Sequence, residues 1–189
     1  IKINSKNPFF LNNLGNAFAQ KNLFDEALKI FEKALLIDEK FFLAHNNLGI
    51  IKNKLKKYDE AIKSLEKAIK IQENFDDAYI NLGITYFEIG EVDLAIKNYK
   101  IALEKNPNSA IAYNNLGNIL ESQGFYNEAI KNYRSSIEIK PNFAEAYNNL
   151  GNVLVEIDKI EEAIEAYKKS IDLNPKYFES FVNLANIYS

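Results

Sequence analysis

Glycine recurs in this chain at a fixed interval of 34 residues, as Gly15, Gly49, Gly83, Gly117 and Gly151. The period extends over most of the 189 residues, so the chain consists of copies of one small unit. A unit of this length cannot bury its apolar face alone, and such units stack to form a continuous core. Function is therefore expected on a surface that the units share.

The glycine is assigned to the eighth position of each unit, and every position is called a place, numbered from the start of its unit. Leucine recurs at place seven, alanine at place twenty, and a large side chain at places four and twenty-four. This frame predicts one array over 1–189. Its units are 8–41, 42–75, 76–109, 110–143 and 144–177, with a partial unit at 178–189 and residues 1–7 as the tail of a preceding unit.

Apolar residues within a unit follow helical spacing. In the fourth unit one stripe precedes Gly124 and a second stripe follows it, which predicts two helices joined by a short turn. Gly124 suits the left-handed conformation that closes a helix, and Pro141 is expected to stop the second helix. The small residues Gly117 and Ala129 are expected to face each other, so that the two helix axes approach closely, with large side chains at places four and twenty-four on either side.

This multi-place pattern over residues 8–189 resembles the tetratricopeptide repeat family. The resemblance implies an all-α fold, a right-handed superhelical solenoid of antiparallel helix–turn–helix repeats. Some places depart from the family pattern: His45 replaces an aromatic residue, Lys52 replaces an apolar residue, and Glu39 and Glu73 replace proline. The second unit is thus expected to be the least regular and the least stable. His45 is interpreted as a packing residue.

Composition excludes several classes of site. The chain has no cysteine and one histidine, so neither a thiolate zinc site nor a histidine-based metal site is expected. No apolar run is long enough to span a membrane. The net charge of −3 argues against nucleic acid as a partner. No phosphate-binding glycine loop and no nucleophile–base pair occurs, so neither a cofactor nor a catalytic residue is predicted, and the chain is not expected to be an enzyme.

Asparagine is concentrated on one face of the predicted first helices. Places five, six and nine hold 14 of the 26 asparagines, whereas an AT-rich genome alone would scatter them. These residues, interpreted as peptide-binding, are Asn13, Asn47, Asn81, Asn115, Asn149 and Asn183 at place six, Asn12, Asn46, Asn114 and Asn148 at place five, and Asn16, Asn118, Asn152 and Asn186 at place nine. Common ancestry or hydrogen bonding between neighbouring repeats is the alternative explanation.

An asparagine amide carries both a donor and an acceptor, so a ladder of amides can bind the main chain of an extended peptide. The ladder also resembles that of the repeat arm of O-linked N-acetylglucosamine transferases, which implies that the place-six asparagines hold polypeptide. The ionised residues of the same face are mostly acidic: Lys54, Asp77, Glu88, Glu121, Glu145, Glu156 and Glu179. A neutral or basic peptide is therefore expected, and binding of an acidic C-terminal tail is not.

Two further hypotheses concern the ends of the chain. Phe181, Leu184, Ile187 and Tyr188 repeat the core stripe of a first helix without a second helix after it, which suggests a segment of a longer protein. One alternative function is a structural scaffold that associates end to end with copies of itself. The other is the substrate-recruiting arm of a larger transferase whose catalytic domain lies elsewhere.

Overall fold

The computed structural model describes residues 6–188, and the helices found there leave only short turns between them. The predicted tail at 1–7 therefore falls largely outside the described residues. The helices alternate between the first and the second helix of each repeat. First helices are α1 (Pro8–Gln20), α3 (Phe42–Lys54), α5 (Asp76–Glu88), α7 (Ala110–Ser122), α9 (Ala144–Glu156) and α11 (Phe178–Ile187). Second helices are α2 (Phe24–Ile37), α4 (Tyr58–Ile71), α6 (Val92–Lys105), α8 (Tyr126–Ile139) and α10 (Ile160–Leu173).

The predicted repeat frame fits these boundaries residue by residue. Each complete first helix covers places one to thirteen, and each second helix covers places seventeen to thirty. Second helices carry acidic residues in their first turn, where the helix dipole favours negative charge; Asp59 and Glu60 of α4 are an example. The prediction of an all-α array of helix–turn–helix repeats is confirmed.

Place fifteen, in the turn between the two helices, has a positive φ in all five repeats. Gly90 and Gly124 adopt it freely, with φ of 83° and 78°. The other three repeats use Asn22, Lys56 and Asp158 at φ of 58°, 59° and 60°. The left-handed turn is thus imposed by the helix pair, and glycine is not required to make it.

Helix α8 ends at Ile139, two residues before Pro141, as expected, but proline is not required for the second helices to end there. Helix α2 ends at Ile37 and α4 at Ile71, both at place thirty, although Glu39 and Glu73 replace proline in these repeats. The helices followed by proline end at the same place. The end at place thirty is therefore common to repeats with and without proline.

The repeated glycine packs closely under the place-twenty-four side chain, a contact that the expected glycine–alanine pair did not include. In the second repeat the place-twenty alanine is close as well: a Cβ atom added to Gly49 would lie 3.3 Å from the main-chain oxygen of Ala61. A Cβ atom added to Gly117 would lie 2.6 Å from Cε1 of Tyr133, a ring that is fully buried. At Gly151 the corresponding distance to Tyr167 is 2.5 Å. The ring occupies the space that a Cβ atom would need, so only glycine leaves room for it.

Contacts between Cα atoms divide the chain into two compact units, Ile1–Lys105 and Asn106–Ser189. The terms first unit and second unit refer below to these two halves, and the 34-residue copies are called repeats. The core of the first unit joins α1, α2 and α3 through residues such as Leu11, Phe31 and Ile51. The core of the second unit joins α8, α9 and α10 through residues such as Tyr133 and Leu154. Each unit is therefore a stack of helix pairs with its own buried core.

The departures in the second repeat are accommodated by polar contacts. His45 is buried, and its Nε2 lies 3.0 Å from the carbonyl oxygen of Glu39; burial lowers the pKa of the imidazole. This agrees with its interpretation as a packing residue. Nζ of Lys52 lies 3.3 Å from Oε2 of Glu60 and 3.4 Å from Oγ of Ser64. Charge at an apolar place is thus neutralised locally.

Helix α11 packs only part of its apolar surface. Leu184 and Ile187 contact the core of the second unit, whereas Phe181 is 44% exposed and Tyr188 is 68% exposed. Self-association through this helix stays a prediction.

Candidate functional site

The fifth-place asparagines are buried, which corrects their expected position on the open face. Asn114 is 1% exposed and Asn148 is 4% exposed, and Asn12 and Asn46 are buried as well. The reason is that place five lies where consecutive first helices of a unit meet. An asparagine at this place contacts the neighbouring repeat, and peptide binding by these four residues stays a prediction.

The sixth-place asparagines line the edge of that contact and bond backwards along the array. Apart from exposed Asn13, they are half-buried. Four of them donate a hydrogen bond from the side-chain amide to the side-chain oxygen of place five in the preceding repeat. The Nδ2–Oδ1 distances are 2.8 Å for Asn47 to Asn12, 3.0 Å for Asn81 to Asn46, 3.2 Å for Asn149 to Asn114 and 3.1 Å for Asn183 to Asn148.

Place nine adds a second acceptor in the second unit. Nδ2 of Asn149 lies 2.9 Å from Oδ1 of Asn118, and Nδ2 of Asn183 lies 2.9 Å from Oδ1 of Asn152. Both amide protons of Asn149 and of Asn183 are therefore used inside the protein. Hydrogen bonding between repeats, the alternative explanation for the ladder, is thus present in this fold, and it accounts for the donor half of these amides.

A carboxylate fixes the direction of the ladder in the second unit. Nδ2 of Asn114 donates to Oε1 of Glu145 at 3.0 Å. Because an ionised carboxylate only accepts hydrogen bonds, Asn114 must direct its Oδ1 towards Asn149. Asn149 must then present its amide protons, which is the arrangement observed.

Two of the sixth-place asparagines stand at the start of the ladder in their units. Asn13 and Asn115 belong to α1 and α7, the first helices of the two units, so no earlier first helix of the same unit is available to them. At place nine, Asn16 is half-buried and Asn186 is exposed. In the third repeat the ladder lacks two members, because isoleucine holds places five and nine.

Two tyrosines and a serine that sequence reasoning assigned no polar role take part in the network. The hydroxyls of Tyr133 and Tyr167 lie 2.8 Å and 2.9 Å from Oδ1 of the place-nine asparagine in their own repeats. Oγ of Ser180 lies 3.0 Å from Oδ1 of Asn148 and 2.8 Å from Oγ of Ser170, so its single proton serves one of these two acceptors. A signal was present: in the fourth and fifth repeats, tyrosine at place twenty-four accompanies asparagine fifteen residues earlier.

Glu121 has a close hydrogen-bond partner and an acidic neighbour. The Tyr133 hydroxyl lies 2.5 Å from Oε2 of Glu121, and its single proton serves either this carboxyl or Asn118. Burial and nearby Glu156 raise the pKa of Glu121 against the opposing hydrogen bond from Tyr133. Burial, followed by the charges of Glu121 and Glu156, raises the pKa of Tyr167 to about 12. In the first unit, burial and then neighbouring Asp76 raise the pKa of Asp77.

A cavity of about 620 Å³ opens beside these carboxyls in the second unit. It is lined by Glu121, Asn152, Val155, Glu156, Ile160, Tyr167, Asn183, Asn186 and Ile187. Over residues 6–188, no group of three histidine, cysteine or acidic side chains is placed to hold a metal ion. In the same part of the chain, no helix has the length and apolarity needed to cross a membrane.

Comparison with protein families identifies the repeat. A family model described as "TPR repeat" matches residues 51–90, 85–124 and 117–158, and one described as "Tetratricopeptide repeat" matches 8–41 and 144–177. The chain belongs to the tetratricopeptide repeat (TPR) family. A comparison with curated proteins found no match.

Solved TPR structures are similar over most of the chain. The crystal structure of MamA is 30% identical, with a TM-score of 0.69 over 86% of this chain and 95% of that one. YrrB, a TPR protein with an unusual peptide-binding site, is 26% identical, with a TM-score of 0.63 over 95% of this chain and 92% of that one. TTC0263, a thermophilic TPR protein of Thermus thermophilus, shares 19% identity and the fold, with a TM-score of 0.82 over 96% and 98% of the two chains.

Proposed function

We propose that this TPR array is a protein-interaction module that binds an extended peptide along its asparagine-lined groove. TPR proteins generally mediate protein–protein interactions. The observation that carries the proposal is the polarity of the sixth-place amides. Asn149 and Asn183 use both amide protons inside the protein and direct their side-chain oxygens elsewhere.

Acceptors repeated once per repeat suit the main chain of a peptide. A carbonyl oxygen has two lone pairs, so Oδ1 of Asn183 is available to a peptide N–H, and Oδ1 of Asn149 keeps one lone pair beside its long 3.4 Å contact with Nδ2 of Asn148. An extended peptide offers main-chain N–H donors at regular intervals and independently of its side chains. The internal bonds also hold each amide in place, so little side-chain entropy is lost when a ligand binds.

The charges of the groove favour a neutral or basic ligand. Glu121, Glu145, Glu156 and Glu179 belong to the first helices of the second unit, and Lys54 is the one cation assigned to the same face from the sequence. A resemblance to YrrB at 26% identity, whose structure has a peptide-binding site, supports a peptide over other ligands.

Each ladder bond has one accessible end and one buried end, which provides a matched experiment. Asn81→Ala with Asn149→Ala removes the accessible donors, and Asn46→Ala with Asn114→Ala removes the buried acceptors of the same bonds. Peptides selected from a display library against the wild-type chain serve as probes. Affinity is measured by calorimetry, and circular dichroism checks the fold of each variant.

The place-six pair should weaken peptide binding about tenfold beyond the place-five pair, because a hydrogen bond contributes roughly 0.5–1.5 kcal/mol and two are lost. Both pairs should lower stability, since both break the same internal bonds. Equal affinity of the two folded double variants would show that the ladder only joins repeats and does not contact the peptide.

A further inference from the structure

We propose that the cavity of the second unit binds the guanidinium group of an arginine side chain carried by the bound peptide. The proposal rests on the peptide-binding function above and assigns a side-chain specificity to one position of the groove. The cavity is bordered by helices α7, α9, α10 and α11, and Glu121 and Glu156 stand on two of them.

Most polar atoms that face a ligand in this cavity are acceptors. Both amide protons of Asn183 go to Asn148 and Asn152. The hydroxyl of Tyr167 is directed at Oδ1 of Asn152. Apart from Nδ2 of Asn152 and the amide at place nine of α11, what remains for a ligand is Oδ1 of Asn183, Oε1 of Glu121 and the carboxylate of Glu156. Acceptors therefore outnumber donors, which favours a ligand that supplies several donors.

The two carboxylates also lack a positive charge. Within residues 6–188, the ion pairs are Lys52–Glu60, Arg134–Glu162 and Lys159–Glu162, and none reaches Glu121 or Glu156. The Glu156 carboxylate is met by the hydroxyl of Tyr126 at 3.5 Å, which is a long contact. Two neighbouring carboxylates without a cation repel each other, and a bound cation would relieve that repulsion.

The shape of the site favours arginine over lysine. Its apolar side is formed by Val155, Ile160 and Ile187, which suit the aliphatic stem of a long side chain. A guanidinium has five donors in a plane and can reach several acceptors at once, whereas an ammonium is a compact point charge. Acceptors contributed by α7, α9 and α11 match the planar group better.

The test uses the full chain and a selected peptide that contains arginine. Synthetic versions of this peptide carry arginine, lysine or citrulline at each arginine position, since citrulline keeps the shape and removes the charge. The protein variant is Glu121→Gln with Glu156→Gln. The control is Glu104→Gln with Glu161→Gln, which changes the net charge equally: both side chains are exposed and lie on second helices, Glu104 on α6 and Glu161 in the first turn of α10.

The arginine peptide should bind the Glu121/Glu156 variant about ten- to a hundredfold more weakly than wild type, because charge-assisted hydrogen bonds are lost. Its affinity for the control should stay within about twofold. The citrulline peptide should bind all three proteins alike. If the double variant does not fold, Glu156→Gln alone carries the test, because this side chain is exposed.

Three results would overturn the inference. Unchanged binding of the arginine peptide by the Glu121/Glu156 variant would show that the cavity does not recognise the peptide. The separate Asn81/Asn149 experiment would still test whether the peptide binds along the groove. An equal loss of affinity in the control variant would show that the effect comes from the net negative charge of the protein and not from the cavity. Tighter binding of the lysine peptide would exclude the guanidinium match.

Discussion

Place fifteen shows how one residue can be held in a conformation that its side chain disfavours. The left-handed region costs an L-residue with a Cβ atom roughly 1–2 kcal/mol, and asparagine tolerates it better than most. Of the five residues at this place, Lys56 has φ of 59° and neither the freedom of glycine nor the short polar side chain of asparagine or aspartate. The packing of α3 against α4 holds it there.

Replacing Lys56 by glycine should therefore raise the free energy of unfolding by about 1 kcal/mol, because glycine adopts a positive φ without strain. The greater conformational freedom of glycine in the unfolded chain offsets part of this gain. The urea midpoint measures the change. Lys56→Ala is the matched control, because alanine keeps the strain and should leave the midpoint nearly unchanged. A gain in both variants would mean that the lysine charge was the cause.

At the scale of the helix pair, the close approach of two elements depends on one missing Cβ atom. Gly117 of α7 lies against the ring of Tyr133 of α8, and that side chain is fully buried. The same contact recurs in the other repeats, with Phe31, Leu65, Tyr99 and Tyr167 over their glycines. The 34-residue glycine period of the sequence thus corresponds to a helix–helix contact that recurs in every complete repeat.

Gly117→Leu should lower the stability of the fold by roughly 1–3 kcal/mol, because overpacking forces the ring and the helix apart. Lys131→Leu, on the exposed side of α8, should be nearly neutral. Both changes add a leucine to the same helix pair, so the urea midpoints compare directly. If the two midpoints coincide, the packing of glycine under the ring is not a stabilising contact.

The elements were predictable from the sequence, whereas the roles of their polar residues were not. Apolar spacing determines where helices form, and an array repeats that information five times. Asn114 and Asn149 are identical in type and one place apart in the repeat frame, yet the first is buried and the second is half-buried. Which side chain lies between helices depends on how closely neighbouring repeats pack. The sequence pattern of one helix does not contain that information.

At the scale of the whole molecule, buried phenols make the fold sensitive to alkaline conditions. Burial is the largest cause that raises the pKa of Tyr133, and it raises that of Tyr167 to about 12. A phenol whose pKa is higher in the folded chain than its unfolded value of about 10 favours folding while it is protonated. That contribution is complete below about pH 10 and is lost as the pH rises towards the folded pKa.

The array should consequently unfold as the pH rises above about 10. The buried members of its 11 tyrosines should ionise together with the loss of helix. Tyrosinate absorbance and circular dichroism, recorded during one titration, check this. Tyr167→Phe should make the loss of stability less steep between about pH 10 and about 12, because one linked proton is removed. Ionisation of all tyrosines at their ordinary pKa, with the helices intact, would contradict the prediction.

The ladder bonds have a consequence for how such a gene can change in length. Each amide pair joins residues 35 positions apart, one repeat and one residue. Duplication or deletion of a whole 34-residue block keeps place six opposite place five of the preceding repeat, so the new junction inherits the contact wherever place five is asparagine, as it is in every complete repeat but the third. A block of any other length would set asparagines against unrelated residues at that junction. Copying by complete repeats is therefore the route by which this groove can be lengthened without first being redesigned.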